Sequence, residues 1–256
     1  MRILILGGTT EANALAKRLS GDLRFSPVLS LAGRTAAPAA QPVPCRIGGF
    51  GGAAGLAQWL ARENVAALVD ATHPFSTGIS QNAVAAAEAA GLPLLTLVRP
   101  PWNAQTGDRW IETGSLEEAA FALGERPARV LLTIGRQEVA AFKAAPQHRY
   151  LIRSIEPPDR QDLPPHAELL LRRGPFSAAE EEALFRDAAI EIVVSKNSGG
   201  DATAAKLAAA RKLGLPVVMI ARPEKPGGDR AATVEAALQW LDAMACDHFS
   251  ASERGV

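Results

Sequence analysis

Residues 3–19 read ILILGGTTEANALAKRL, and this stretch indicates the fold of the chain. The aliphatic run at residues 3–6 ends at Gly7 and Gly8, which predicts a short buried β-strand followed by a turn. Apolar residues then recur at helical spacing over residues 10–19, which predicts an α-helix with one buried face. A buried strand that passes through glycines into a helix is typical of parallel α/β sheets.

The same alternation continues along the whole chain. Further strands are predicted at residues 28–31, 45–47, 67–70, 94–98, 130–134, 150–154, 168–171, 190–195 and 217–221, with helices between most of them. Because these strands are continuously apolar, they are expected to form parallel sheets covered on both faces. The sequence therefore predicts an α/β protein with two doubly wound, Rossmann-like parallel-sheet domains and a cleft between them. The domains are expected at residues 1–100 and 115–245, and residues 246–256 are expected to be a disordered tail.

The chain carries no net charge, since 27 Lys and Arg residues balance 27 Asp and Glu residues. With 48% hydrophobic residues, it is not expected to be disordered. Nucleic-acid binding is not expected either, because phosphate neutralisation normally needs a basic excess. If the protein binds an anion, it must gather positive charge locally.

The cysteines and the hydropathy pattern favour a cytoplasmic protein. Cys45 and Cys246 are the two cysteines, which gives neither a disulfide framework nor a zinc-site spacing. The first apolar run is too short for a signal peptide, and no apolar stretch approaches the roughly 18 residues of a membrane span. No metal and no membrane partner are therefore expected, and the sequence leaves the oligomeric state open.

The turn after the first strand has the composition of a phosphate-binding turn. Gly8 lets the backbone approach a ligand. The helix that begins around Thr9, Thr10 and Glu11 presents free N–H groups and a partial positive charge. The turn departs from the dinucleotide fingerprint G-x-G-x-x-G, because Thr9 stands at the second glycine position. The alternative is a tight strand-to-helix turn in which Thr9 or Thr10 is the N-cap.

Gly33 and Arg34 follow the second strand. NAD-specific sites usually place an acidic residue there to hold the ribose 2′-hydroxyl. Here an arginine takes that place, and its guanidinium group can bind a phosphate with two parallel hydrogen bonds. This favours NADP over NAD if a dinucleotide binds, whereas the alternative is an exposed loop arginine.

Thr72 and His73 follow the fourth strand, where ligands bind in open parallel sheets. His73 could donate a hydrogen bond or a proton near neutral pH. The alternative is a histidine that merely fixes the loop, for example by bonding to Asp70.

A second glycine-containing loop in the C-terminal half, residues 196–200, predicts another anion site. Its residues are Lys196, Asn197, Ser198, Gly199 and Gly200, and the alternative is a solvated loop. Other cations at or near predicted strand ends are Arg99, Arg136, Lys206 and Arg222. Together these groups are expected to form a basic rim in a chain that has no net charge.

Eight short motifs in consistent order resemble the precorrin-6A reductase family of cobalamin biosynthesis. They are GGT at residues 7–9 with Glu11, LAGR at 31–34, RIGGFGG at 46–52, DATHPF at 70–75, RPPW at 99–102, TIGR at 133–136, KNSGG at 196–200 and IARP at 220–223. One departure is Ala12, where family members often have glycine. The resemblance implies an NADPH-dependent enzyme with two Rossmann-like domains and the cofactor between them. It also implies hydride addition at C19 of the macrocycle and protonation at C18, giving precorrin-6B.

The resemblance, combined with the strand-end residues, suggests roles for individual side chains. Gly8, Thr9, Thr10 and the helix start would hold part of the cofactor, Arg34 its 2′-phosphate, and Gly49 and Phe50 its adenine or ribose side. Thr72 and His73 would lie near the nicotinamide. Residues 196–200 would bind either a pyrophosphate or a substrate carboxylate, and the proton donor could be His73, Lys196 or solvent. Arg99, Arg136, Lys196, Lys206 and Arg222 would bind the carboxylates of the tetrapyrrole substrate.

Three rival interpretations remain at this stage. An S-adenosylmethionine-dependent methyltransferase would be expected to carry an acid after strand two, where Arg34 stands. A non-catalytic NADP-binding module would bind the cofactor without turnover. A reductase of the anaerobic route would act on the cobalt-containing substrate, and the sequence does not distinguish the two substrates.

Overall fold

The computed structural model describes residues 1–33 and 40–253, and it describes side chains as far as Cys246. The strands are β1 (Arg2–Leu6), β2 (Ser26–Leu31), β3 (Cys45–Ile47), β4 (Ala67–Asp70), β5 (Leu94–Leu97), β6 (Arg109–Thr113), β7 (Arg129–Thr133), β8 (Arg149–Ser154), β9 (Ala167–Leu171), β10 (Ile192–Lys196), β11 (Pro216–Ile220) and β12 (Asp229–Ala231). The α-helices are α1 (Thr10–Leu19), α2 (Gly52–Arg62), α3 (Thr77–Ala90), α4 (Leu116–Ala122), α5 (Ala178–Asp187), α6 (Ala205–Leu213) and α7 (Val234–Glu253). Short 3₁₀ helices cover Val139–Ala144, Arg160–Asp162 and Asp201–Thr203.

The chain forms two units, each built on its own six-stranded sheet. Unit 1 consists of residues 1–100 together with the chain from residue 223 onward, and unit 2 consists of Pro101–Arg222. The strand order is β3-β2-β1-β4-β5-β12 in unit 1 and β9-β8-β7-β10-β11-β6 in unit 2. All ten strand pairings within residues 1–33 and 40–253 are parallel. The predicted fold class of two Rossmann-like parallel α/β domains is therefore confirmed, and the cleft between them stays a prediction.

The sheet order fixes where a ligand can bind in each unit. In unit 1 the chain continues from β1 to β2 and β3 on one side of the sheet, and then to β4 and β5 on the other side. The topological switch point, where ligands bind in such sheets, therefore lies between β1 and β4. The register pairs Leu6 with Asp70, which brings the ends of these two strands together. In unit 2 the equivalent point lies between β7 and β10, where Thr133 pairs with Ser195.

Helix α1 forms where the sequence predicts it, and its burial explains why. Ala12, Leu15, Ala16 and Leu19 are buried on one face of the helix and belong to the core with Ile3 and Ile5 of β1. Strand β1 itself is buried along almost all its length, as expected for a central parallel strand.

The domain boundaries differ from the prediction. Strand β12 pairs with β5 of unit 1, and α7 places Ala237, Leu241 and Ala245 in the same core as α1, so residues from 223 onward do not belong to the C-terminal domain. Strand β6 lies between residues 100 and 115, in the segment that the prediction leaves outside both domains, and it pairs with β11. Its mostly exposed side chains give it no strong apolar pattern.

Two local predictions also differ. Helix α7 continues to Glu253, so a disordered tail does not begin at residue 246; residues 254–256 lie outside the described part of the chain. Between β7 and β8, where the strand–helix alternation leads one to expect an α-helix, the chain forms the 3₁₀ helix Val139–Ala144. Within the described residues, no helix has both the length and the apolar character that a membrane crossing requires.

Candidate active site

The turn after β1 brings backbone next to open space. Gly7 has no room for a side chain, because an added Cβ would lie 2.6 Å from Leu29 Cδ1. Gly8 is different: its φ is +114°, and an added Cβ would meet no atom of the described residues within 4 Å. Only glycine adopts such a backbone conformation readily. The turn therefore combines a tightly packed residue with one that faces unfilled space.

Thr9 is the N-cap of α1, so the capping alternative is correct for this residue. Its hydroxyl accepts the N–H of Ala12 at 3.1 Å and donates to the carbonyl of Ala71 at 2.7 Å. Thr9 thus links the turn after β1 to the turn after β4, and its side chain is committed to protein contacts. Thr10 begins the helix, and its exposed hydroxyl donates to Glu11 Oε2 at 3.1 Å. Of the first-turn N–H groups, those of Thr10 and Glu11 still lack partners within the helix and can bind an anion.

A cavity of about 270 Å³ lies at the carboxyl ends of the central strands of unit 1. Its lining residues are Gly7, Gly8, Leu31, Ala32, Gly33, Ile47, Thr72, His73, Ser76 and Ile79. The structure therefore brings together four predicted site residues from three separate turns, namely Gly8, Gly33, Thr72 and His73. Arg34, the residue predicted to bind the 2′-phosphate, lies outside the described residues.

Gly49 and Phe50 are held by Arg46 at the end of β3. The Arg46 guanidinium donates to the carbonyls of Gly48 and Gly49 at 2.8 and 3.0 Å. It also lies 3.7 Å from the centre of the Phe50 ring, and that ring packs edge-on against Trp59. Burial lowers the pKa of Arg46. Phe50 thus packs against Arg46 and Trp59 of its own unit. Neither Gly49 nor Phe50 is among the described residues that line the cavity.

Thr72 is fixed by a buried polar network beneath the cavity. Asp70 Oδ1 accepts hydrogen bonds from the Thr72 N–H at 3.0 Å and from the Thr72 hydroxyl at 2.6 Å. Asp70 Oδ2 accepts from the Ser80 hydroxyl at 2.5 Å and from the Lys225 ammonium at 3.0 Å. Burial is the largest effect on Lys225 and lowers its pKa, although Asp70 opposes that change. Sequence reasoning missed Lys225, since it stands in a loop with no periodicity to mark it.

His73 is oriented by its own turn. Its Nδ1 accepts the N–H of Phe75 at 3.3 Å, and the two rings are 5.8 Å apart. In the neutral imidazole with this hydrogen bond, Nε2 carries the hydrogen and is the donor. Because His73 lines the cavity, it can offer that N–H to a ligand.

Glu11 and Arg99 form an ion pair at the start of α1. Arg99 Nη1 lies 2.6 Å from Glu11 Oε2, and both side chains are largely buried. The pair ties the segment after β5 to the helix that begins at the switch point. Two predicted site residues are therefore neighbours, with the charge of each balanced by the other.

In unit 2, the loops after β7 and β10 meet at the switch point. Glu138 forms an ion pair with Lys196, and its Oε2 also accepts the N–H of Gly135 at 3.2 Å. A carboxylate is thus held between a lysine and a backbone N–H, which is how an anion would be held there. Arg136 is part-exposed and pairs with Glu156 at 2.8 Å. Glu138 was not predicted as a site residue.

The other residues of the 196–200 loop form hydrogen bonds mainly with Trp102. Asn197 accepts the Trp102 N–H at 2.8 Å and donates to its carbonyl at 2.9 Å. The Trp102 indole N–H donates to the carbonyl of Gly200 at 2.9 Å, and Arg222 donates to the carbonyl of Asn197 at 3.1 Å. Ser198 is buried, while Gly199 and Gly200 have φ values of +66° and +77°. The Asn197 side chain is therefore committed to fixing Trp102.

Lys206 is buried, in contrast to the exposed position expected of a substrate-binding lysine. Its ammonium donates to the carbonyl of Thr203 at 2.8 Å and lies 4.9 Å from the centre of the Trp102 ring. With only 4% of its surface exposed, it supports the Trp102 segment from within unit 2. A cation over an indole face is favourable, and more so when it is desolvated.

Comparison with known proteins decides the family. The sequence model of the family described as "Precorrin-6x reductase CbiJ/CobK" matches residues 2–242. The chain belongs to the precorrin-6x reductase family. This membership confirms the resemblance that the eight motifs indicate, and it makes the protein an oxidoreductase by family.

Individual relatives of this family member cover nearly its whole length. A protein of Rhodobacter capsulatus named "Precorrin-6A reductase" is 51% identical over 255 residues, covering 100% of this chain and 99% of the relative. A solved structure titled "CobK precorrin-6A reductase" is also 51% identical, with a TM-score of 0.90, and covers 95% of this chain and 96% of the solved one. A more distant relative from Priestia megaterium, named "Cobalt-precorrin-6A reductase", is 29% identical and covers 91% of this chain and 95% of the relative.

Proposed function

We propose that this chain reduces precorrin-6A to precorrin-6B, with a hydride added at C19 and a proton at C18 of the macrocycle. The observation that carries the proposal is the 51% identity over the full length to a relative named precorrin-6A reductase. The cavity at the switch point of unit 1 supports it, because that is where doubly wound sheets bind nucleotide cofactors.

The residues around Gly8 fit a dinucleotide. A positive φ, an unfilled space beside Gly8 and the start of a ten-residue helix together form a cradle for a phosphate group. NADPH would supply the hydride when bound. Gly8, Gly33 and the first turn of α1, with Thr10 and Glu11, would hold and orient it. Thr9 would contribute by fixing the turn rather than through its hydroxyl, which Ala12 and Ala71 occupy.

Thr72 and His73 would form the wall against the reacting end of the cofactor. Since Nδ1 of His73 accepts a backbone N–H, its Nε2 would donate a hydrogen bond to ligand. The proton that reaches C18 would come from His73, Lys196 or solvent. The enzyme's main contribution would be orientation, because the cofactor carries the hydride.

Unit 2 offers the cations that a polycarboxylate tetrapyrrole needs. Lys196, Arg136 and Arg222 lie at its strand ends, and Lys196 already holds the carboxylate of Glu138. That arrangement favours a substrate carboxylate over a cofactor pyrophosphate at Lys196. Lys206 is left out of this set because it is buried beneath Trp102.

The proposal is tested by mixing the purified protein with NADPH and precorrin-6A. We expect the absorbance of NADPH to fall as the macrocycle is reduced. A protein that binds NADPH but consumes none with either precorrin-6A or cobalt-precorrin-6A would instead be a non-catalytic NADP-binding module.

The metal-free macrocycle is the favoured substrate. Five relatives with 46–55% identity are named precorrin-6A reductase, whereas three with 27–29% identity are named cobalt-precorrin-6A reductase. The second candidate function is therefore reduction of cobalt-precorrin-6A. Parallel assays with both macrocycles distinguish the two, and a higher kcat/KM for the cobalt form would reverse the assignment.

Arg34→Ala tests the choice of cofactor. A guanidinium bonded to the 2′-phosphate contributes charge-assisted hydrogen bonds, so its loss should raise the KM for NADPH by about tenfold or more and leave the KM for NADH nearly unchanged. Arg18→Ala is the matched control, because Arg18 is an exposed arginine of the same unit. Equal effects on both cofactors would remove Arg34 from this role.

Lys196→Ala tests the substrate site. Loss of a charged hydrogen bond to a carboxylate should raise the KM for precorrin-6A by about tenfold or more, with little change in the KM for NADPH. Lys212→Ala is the control, since Lys212 is an exposed lysine of the same unit that pairs with Glu182. A rise in the KM for NADPH instead would assign the loop to the cofactor pyrophosphate.

A further inference from the structure

Lys225 is a buried lysine of unit 1 with no place in the function described so far. Only 2% of its side chain is exposed. Its ammonium donates to Asp70 Oδ2 at 3.0 Å, to the Thr72 hydroxyl at 2.9 Å and to the Thr72 carbonyl at 3.1 Å. A lysine has three N–H donors, so these contacts use all of them. Lys225 is therefore committed to the protein and is not a ligand-binding cation.

All of these contacts converge on one residue of the cavity wall. Thr72 is bonded through its N–H and its hydroxyl to Asp70, and through its hydroxyl and its carbonyl to Lys225. Its peptide groups and its side chain are thus both fixed. His73 lines the same cavity. Because it follows Thr72 directly in the chain, the fixed backbone of Thr72 also sets the position of His73.

Stability alone does not account for such a network. The cost of desolvating a buried ion pair largely offsets its attraction, and well-packed apolar residues are often as stable or more so. What the pair does supply is a defined geometry, because a point charge with three fixed partners allows one arrangement of the turn. The backbone around Lys225 is also anchored, since Arg230 donates to its carbonyl at 2.7 Å.

We propose that Lys225 is a positioning residue that acts through Asp70 and Thr72 to set the Thr72–His73 wall of the candidate cofactor cavity. This inference rests on the proposed function, because it takes the cavity to be the cofactor site. The lysine touches neither cofactor nor substrate. Its effect is to hold the wall where a bound nicotinamide cofactor meets it.

The test uses the double variant Lys225→Met/Asp70→Asn, which removes both buried charges together. We expect a folded protein by circular dichroism, with the dissociation constant of NADPH raised about tenfold or more in a fluorescence titration. The kcat should fall while the KM for precorrin-6A changes little, because displacement of a cavity wall by about 1 Å can cost up to 10²-fold in rate. If that variant does not fold, Lys225→Gln/Asp70→Asn, which keeps polar groups at both positions, is measured instead.

A matched control separates positioning from general loss of packing. Arg153 and Glu181 form another buried ion pair, in unit 2, with 8% and 2% of their side chains exposed. Arg153→Met/Glu181→Gln should leave the dissociation constant of NADPH unchanged. A folded Lys225 variant with unchanged NADPH binding and kcat would overturn the inference, as would an equal loss of NADPH binding in the control.

The unmodified protein distinguishes the two proposals. If it does not bind NADPH, the proposed cofactor site is wrong and the inference falls with it. If it binds NADPH and reduces precorrin-6A while the Lys225 variant matches it, only the inference is wrong.

Discussion

Asp70→Asn should lower the free energy of unfolding by about 3–5 kcal/mol at pH 7, the usual cost of leaving one partner of a buried ion pair uncompensated. Asp70 and Lys225 are 1% and 2% exposed, so water cannot replace the lost carboxylate charge. The measurement is urea unfolding followed by circular dichroism.

The loss should shrink as the pH rises. Burial already lowers the pKa of Lys225 below its ordinary value of 10.5, and removing Asp70 removes the charge that opposes this. Between the lowered native pKa and the unfolded pKa, the unfolded chain binds more protons than the native chain. The free energy of unfolding of the variant therefore rises with pH through that range. We expect Asp70→Asn to regain part of its stability as the pH is raised from 7 towards 10.

Glu181→Gln provides the control for this pH dependence. It also leaves a buried cation, Arg153, without its partner. That cation is a guanidinium rather than an ammonium, and guanidinium groups do not lose their proton in proteins. Glu181→Gln should therefore lose a similar free energy of unfolding and regain none of it by the same mechanism. If Asp70→Asn loses less than about 1 kcal/mol, or if both variants recover equally with pH, the account of Lys225 as a buried charge is wrong.

The second large effect is expected at Gly8. Gly8→Ala should weaken NADPH binding by about 10²-fold or more, because its Cβ would enter the space where the backbone is expected to meet a phosphate. Because φ at this position is +114°, an alanine there strains the native backbone and should lower the free energy of unfolding by about 1–3 kcal/mol. Isothermal titration with NADPH measures the first effect and urea unfolding the second.

Gly214→Ala separates strain from lost binding. Gly214 ends α6 with a φ of +66°. As at Gly8, an added Cβ would meet nothing within 4 Å in the part of the chain that the structure describes. The variant should lose stability while its affinity for NADPH remains that of the parent. Normal NADPH binding by a folded Gly8→Ala protein would show that the turn after β1 does not hold the cofactor.

The sequence predicts well those features that depend on neighbouring residues. Strand β1, the glycine turn and α1 form as predicted, because an aliphatic run and a helical apolar face are local patterns. The convergence of Gly8, Gly33, Thr72 and His73 on one cavity also follows from simple topology, since parallel strands end at the same edge of a sheet.

Features that depend on distant partners escaped prediction. Strand β12 has three residues, and only its pairing with β5 makes it a strand. The burial of Lys225 and Lys206 cannot be predicted from the sequence, because a lysine is normally exposed. In addition, Asp70 is distant from Lys225 along the chain, and Trp102 is distant from Lys206. The sequence therefore predicts a substrate-binding role for Lys206 and no role for Lys225.

The division of unit 1 into two separate stretches of sequence has a consequence for synthesis on the ribosome. Unit 1 contains residues from both ends of the described chain, whereas unit 2 is a single continuous segment, Pro101–Arg222. Because translation proceeds from the N-terminus, the first hundred residues emerge without β12 and α7, which complete the core around Leu95 and Leu97. All of unit 2 has then been translated before unit 1 can close. Unit 1, whose strands β1 to β5 are translated before unit 2, is thus the later of the two units to have its complete sequence.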